Sequence, residues 1–203
     1  LVVQGSGRIA TPEDTVNCGE SGSTMRFITP ILAHAQGISV LTGGKSLRRR
    51  TMHPLIDSLQ QLGLKCYSAP GNGCAPLVVF GGTYTGGEVR VVGDVSSQFI
   101  SGLLFSASLA TQPTSIEVTT ALESAPYVDM TLKVLRCHGV DIGANSSLTR
   151  FSLCGAQAVD KYDHIIEGDY PSAAFLFAAG VITGSEICVA GLKTSGSVQG
   201  DSC

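Results

Sequence analysis

The chain has 203 residues, 43% hydrophobic and 14% charged, with a formal net charge of −3. That balance excludes an intrinsically disordered chain and gives no global attraction to nucleic acid. No apolar run reaches membrane-spanning length and no basic-then-apolar leader opens the chain, so a cytoplasmic protein of one or two domains is expected.

In chain order, LVVQ (1–4) has an apolar strand pattern. GSGRIA (5–10) is expected to be a tight turn between strands. It fits GxGxxA, but Thr11-Pro12-Glu13-Asp14 follow where a dinucleotide loop needs an apolar helix. NCGESGSTMR (17–26) leads into an apolar helix. GGKS (43–46) resembles the end of a P-loop, yet Ser39 stands where the first glycine belongs and Arg48-Arg49-Arg50 stand where a helix should begin. HPLIDSLQQLG (53–63) and APYVDMTLKVLRCHG (125–139) carry apolar residues at helical spacing. Each has proline near its first turn, aspartate three residues later (Asp57, Asp129) to suit the helix dipole, and a terminal glycine. LKCYS with PLVVF, and VDI with RFSLC, read as strand pairs. The segments 99–110 and 173–182 are apolar nearly all round, so both helices are expected to be deeply buried.

Three stretches share one plan. Gly-acid pairs (Gly19-Glu20, Gly93-Asp94, Gly168-Asp169) precede small polar residues, then an apolar helix, then a β-rich run, at spacings of 74 and 75 residues. The expected unit is β-α-β-α-β-β, repeated, giving an α/β fold with the helices inside. The seven cysteines (18, 66, 74, 137, 154, 188, 203) form no CxxC pair, which argues for buried free thiols rather than zinc ligands. The four histidines (34, 53, 138, 164) show no Ser-His-Asp or Cys-His order.

Helix starts rich in Ser, Thr and Gly suit anions, because their N–H groups are unpaired and carry partial positive charge. ESGSTMR offers Ser21, Gly22, Ser23 and Thr24. GDVSSQF offers Ser96, Ser97 and Gln98. ESAPY offers Ser124 and Tyr127. Any one serine is more often a helix cap, but one cap does not account for Ser-Ser-Gln together. An arginine of the 48–50 run could clamp a carboxylate. Arg26, beside Met25 and Phe27, is expected to have a buried or ligand partner.

NCGESGSTMR, LTGGKSLRRRTMHPL, GDVSSQF, SAPYVDMT and EGDYPSAA, in this order, resemble the motifs of the 5-enolpyruvylshikimate-3-phosphate synthase family across nearly the whole chain. GDVSSQF is the most specific of them. A related enolpyruvyl transferase that acts on a UDP-sugar shares the fold but lacks the Ser-Ser-Gln signature. A non-catalytic anion-binding repeat module is a further alternative. Ser23 replaces a usual Thr, and Phe27 stands where many members have Pro or Leu.

The resemblance implies an inside-out, enolpyruvyl transferase-like barrel of βαβαββ units in two domains. Residues 1–166 would form most of one domain and 167–203 the start of the next. It implies transfer of the carboxyvinyl group of phosphoenolpyruvate to the 5-hydroxyl of shikimate 3-phosphate, with no metal or organic cofactor, in an enzyme that is a cytoplasmic monomer when complete. Ser96, Ser97, Gln98, Ser124 and Tyr127 would bind shikimate 3-phosphate. Gly22, Arg50 and Gln98 would face phosphoenolpyruvate. The catalytic acid and base would lie outside these 203 residues, leaving this chain inactive alone.

Overall fold

A computed structural model describes residues 2–82, 84–193 and 199. Two successive units have the same element order. The first runs β1 (Val16–Asn17), α1 (Gly22–Ile31), β2 (Gly37–Thr42), α2 (His53–Gln61), β3 (Lys65–Ser68) and β4 (Leu77–Gly81). The second runs β5 (Gly87–Val91), α3 (Ser97–Ala107), β6 (Thr114–Val118), α4 (Ala125–Cys137), β7 (Ile142–Ala144) and β8 (Arg150–Leu153). A last helix, α5, covers Tyr170–Thr183.

Each unit builds a four-stranded sheet, in the orders β1-β2-β4-β3 and β5-β6-β8-β7. The first two strands of each pair in parallel, and the rest pair antiparallel. A parallel pair needs a crossover, which α1 and α3 supply. The expected β-α-β-α-β-β unit is thus present twice, with identical topology.

The sheets bury alternate residues. Leu77 and Val79 of β4 and Val89 and Val91 of β5 face the core, while Phe80 and Arg90 face outward. The helices lie on the inner side and share one apolar cluster with both sheets. α3 buries Phe99, Ile100, Leu103, Leu104 and Ala107. It crosses α1 so closely that a Cβ on Gly102 would stand 2.3 Å from the carbonyl oxygen of Arg26. Only glycine permits that approach.

Several expectations change. No strand forms at 2–4, because no neighbouring strand offers this segment a ladder there; Leu1 lies outside the described residues. GSGRIA is accordingly not a turn between strands. α3 begins at Ser97 rather than 99, since Ser96 is its cap. α5 is not deeply buried. Only Ala173 and Gly180 are buried in it, whereas Phe175, Val181 and Ile182 are about four-fifths exposed (79%, 84% and 83%). No strand forms over the β-rich residues 186–190 that follow it. Asp57 and Asp129 sit beyond the first turn and pair along their helices with His53 (3.3 Å) and Lys133 (2.7 Å). Cys18 and Cys66 are buried, but Cys137, Cys154 and Cys188 are exposed; all six described cysteines are free, and Cys203 lies outside the described residues. Burial pushes the Cys66 thiol up to about 12.

Candidate anion site at the paired helix starts

Ser21 is the cap of α1, accepting from the Thr24 N–H at 3.1 Å. Ser96 is the cap of α3, accepting from the Gln98 N–H at 3.3 Å. The repeat therefore puts Gly22 and Ser97 first in their helices, and Ser23 and Gln98 second. Close packing of α1 on α3 brings these equivalent positions together. Gln98 Nε2 donates to Ser23 Oγ at 2.8 Å across a sequence separation of 75 residues.

Arg26, one turn further along α1, completes the link. Its Nη1 donates to Gln98 Oε1 at 2.8 Å and to Ser96 Oγ at 3.1 Å. The guanidinium stacks over the Phe99 ring, 4.8 Å from its centroid. Arg26 Nε is buried and has no hydrogen-bond partner. The partners of Arg26 are thus half-buried, polar and neutral (Gln98 and Ser96) rather than acidic.

Arg50 approaches the same helix start. Its Nη1 lies 3.2 Å, and Arg26 Nη1 3.7 Å, from where a Cβ on Gly22 would be. Gly22 therefore leaves room for two guanidiniums. Burial, together with the charge of Arg50, holds the pKa of Arg26 below its ordinary value. Among the described residues neither arginine forms a salt bridge with a carboxylate. Two like charges without an acid between them favour an anionic guest. The geometry selects Arg50 for this position over Arg48 and Arg49.

The loop carrying Arg50 is held by a residue whose role the sequence reading missed. The Glu20 carboxylate accepts from the Leu47 N–H at 2.8 Å and the Ser46 N–H at 3.4 Å. A Cβ on Gly44 would strike Glu20. The only sequence signal for this was the recurring Gly-acid pair. GGKS accordingly forms a turn gripped by a carboxylate, not a phosphate loop.

The GDVSSQF loop is anchored from the segment that joins β6 to α4. The N–H groups of Gly93 and Asp94 donate to Thr120 Oγ1 at 2.8 and 3.2 Å, and the Glu123 N–H donates to Gly93 O at 3.1 Å. This brings the start of α4 beside the start of α3. Ser124 occupies the cap position of α4 with φ 54°, ψ 41°, and its side chain makes no capping bond. Left-handed backbone at a serine costs about 1–2 kcal/mol, and here no cap bond compensates it. Ser101 and Thr131 join α3 to α4 through a buried hydroxyl pair at 2.7 Å.

A pocket of ≈ 490 Å³ opens between these helix starts. It is lined by Ser23, Ser96, Ser97, Gln98, Ser124 and Tyr127, with Phe27, Met130 and Glu123 among its walls. The five residues assigned to one ligand (Ser96, Ser97, Gln98, Ser124, Tyr127) thus share one pocket. Gly22 and Arg50 stand at its Gln98–Arg26 side. The volume suits a small organic anion.

Comparison with known proteins matches this frame. The family model described as EPSP synthase (3-phosphoshikimate 1-carboxyvinyltransferase) covers residues 1–202. The 3-phosphoshikimate 1-carboxyvinyltransferase of Natronomonas pharaonis is 45% identical over 96% of this chain and 47% of its own length. That of Methanosarcina mazei is 43% identical over 99% of this chain and 47% of its own. The solved EPSP synthase of Acinetobacter baumannii superposes with a TM-score of 0.70 at 26% identity, over 85% of this chain and 37% of that one. The chain spans about half the length of the curated relatives it matches. With the repeated βαβαββ units and the family match over residues 1–202, the chain belongs to the EPSP synthase (3-phosphoshikimate 1-carboxyvinyltransferase) family.

Proposed function

We propose that this chain carries the shikimate 3-phosphate side of an enzyme that moves the carboxyvinyl group of phosphoenolpyruvate onto the 5-hydroxyl of shikimate 3-phosphate. Addition gives a tetrahedral intermediate, and loss of phosphate gives the product. Ser96, Ser97 and Ser124 hold the phosphate of shikimate 3-phosphate, Tyr127 lies against the same ligand, and Gln98 reaches both substrates. Gly22 and Arg50 face phosphoenolpyruvate. Both substrates are anions, and the contribution of this chain is to bind them, orient them and offset their charge.

The observation that carries the reading is the convergence of Ser23, Ser96, Ser97, Gln98 and Ser124 on one pocket beside two guanidiniums that, among the described residues, no carboxylate neutralises. The reading needs no metal or organic cofactor, no nucleic acid and no membrane partner. Among the described residues no helix is long and apolar enough to cross a membrane. We place the complete enzyme in the cytoplasm as a monomer. Its second domain would begin near Glu167, a division supported by the exposed apolar surface of α5.

Titration of shikimate 3-phosphate against the wild type and a Ser97→Ala/Gln98→Ala double variant tests the site. Strong loss of binding in the variant is expected; equal affinity in both would overturn the assignment. The acid and base groups are placed outside these residues, so the 203-residue chain alone should not turn over. Measured turnover by it would contradict that placement.

A further inference from the structure

Arg26 is absent from the residues assigned to either substrate, yet it touches two that are. Its guanidinium only donates; it has no acceptor. Gln98 must therefore turn Oε1 toward Arg26, which sends Nε2 toward Ser23. Ser96 Oγ accepts from both Arg26 Nη1 and the Gln98 N–H. Its lone pairs are thereby occupied, and its own hydrogen is left to donate. Ser23 Oγ accepts from Gln98 alone and so keeps one lone pair together with its own hydrogen. The second hydrogen on Gln98 Nε2 is also uncommitted. At the two residues that Arg26 touches, the Ser96 hydrogen and the second Gln98 Nε2 hydrogen are thus the groups left to donate, which is the polarity an anion requires.

We infer that Arg26 is a positioning residue that sets the donor direction of Gln98 and Ser96 for the phosphate-bearing ligand. This rests on the site reading proposed above. Without Arg26 the Gln98 amide loses the partner that distinguishes its two ends, and Ser96 can turn its hydrogen inward. The pocket would then meet the anion with a mixture of donors and acceptors. Lysine at this position keeps the charge but cannot reproduce the fixed fork of a guanidinium.

The test is a double-mutant cycle in the full-length protein that carries this sequence, read as the dissociation constant for shikimate 3-phosphate. Arg26→Met and Gln98→Ala should each weaken binding about tenfold or more, and the double variant should be no weaker than the worse single variant, because the two residues act as one unit. Arg26→Lys should resemble Arg26→Met in affinity while keeping the wild-type unfolding midpoint, which separates positioning from folding. Wild-type affinity in both Arg26 variants would overturn the positioning role. So would additive losses in the double variant. Wild-type affinity in Gln98→Ala would instead overturn the site reading, and the role of Arg26 with it.

Discussion

The Glu20 carboxylate accepts from the Leu47 N–H at 2.8 Å, tying the start of α1 to the turn that leads into Arg50. The Gly44 N–H donates to Gly19 O beside it. The loop that presents one guanidinium is thus built onto the helix start that it serves. Glu20→Ala should free that loop. A backbone bond to a charged acceptor contributes about 1.5–3 kcal/mol, and a loss at the low end of that range corresponds to about a tenfold effect on affinity. The expected result is about a tenfold rise in KM for phosphoenolpyruvate in the full-length protein, with KM for shikimate 3-phosphate nearly unchanged. Steady-state kinetics in both substrates checks it. An equal rise in both constants would show that the loop does not serve one substrate.

Gly102→Ala separates two opposed effects. Helix propensity alone favours alanine by about 1 kcal/mol in the middle of α3. The new Cβ would stand 2.3 Å from the backbone oxygen of Arg26, and backbone cannot swing aside as a side-chain tip can. Overpacking costs about 1–3 kcal/mol. We expect net destabilisation and weaker substrate binding, because α1 and α3 must separate and Ser23 then leaves Gln98. Urea unfolding gives the sign; a stabilised variant would mean that the crossing is looser than described.

Much of this arrangement was legible in the sequence, for reasons particular residues make plain. The Gly-acid-small-polar frame located the starts of α1 and α3, and Gly63 and Gly139 marked where α2 and α4 end, both with positive φ. Arg26 stood out as a charge in an apolar helix. What the sequence could not supply was the neighbours. The hydropathy of α5 states a demand for cover, not whether the described residues provide it, and they do not. LVVQ has a strand pattern, but a strand also needs a partner. The aspartates of α2 and α4 were assigned to the helix dipole, yet they lie a turn too late and pair with His53 and Lys133 four residues away instead. Glu20 contacts a loop 27 positions on, and no local rule anticipates that.

Ser124 should show a trade between stability and binding. Its left-handed backbone, φ 54°, ψ 41°, is costly for serine and free for glycine. Its side chain caps nothing, so its removal sacrifices no helix bond. Ser124→Gly should raise stability by about 1 kcal/mol while weakening shikimate 3-phosphate binding. Paired unfolding and titration measurements check both signs. A variant that is less stable and binds normally would place the hydroxyl in the fold rather than in the site.

His34 should make stability depend on pH. Its Nε2–H donates to Ser106 O and Oγ, both at 3.0 Å, at the base of the α1–α3 contact. Burial holds its pKa below the ordinary value, the largest cause, despite the backbone bond to Ser106. The unfolded chain therefore takes up a proton that the folded protein resists. Stability from this group is present above about pH 6.5 and is lost as pH falls toward the lower folded-state value. Urea midpoints at pH 7.5 and 5.5 should differ less in His34→Gln than in the wild type. An equal pH effect in both would exclude His34 as a source.

The central claim is that the starts of α1, α3 and α4 form one anion site. A crystal structure of the full-length protein with shikimate 3-phosphate tests it most directly. The account predicts the phosphate within hydrogen-bonding distance of Ser96, Ser97 and Ser124, with Gln98 Nε2 turned toward the ligand and Oε1 on Arg26. A phosphate bound elsewhere, or a Gln98 amide turned with its oxygen toward the ligand, would contradict it.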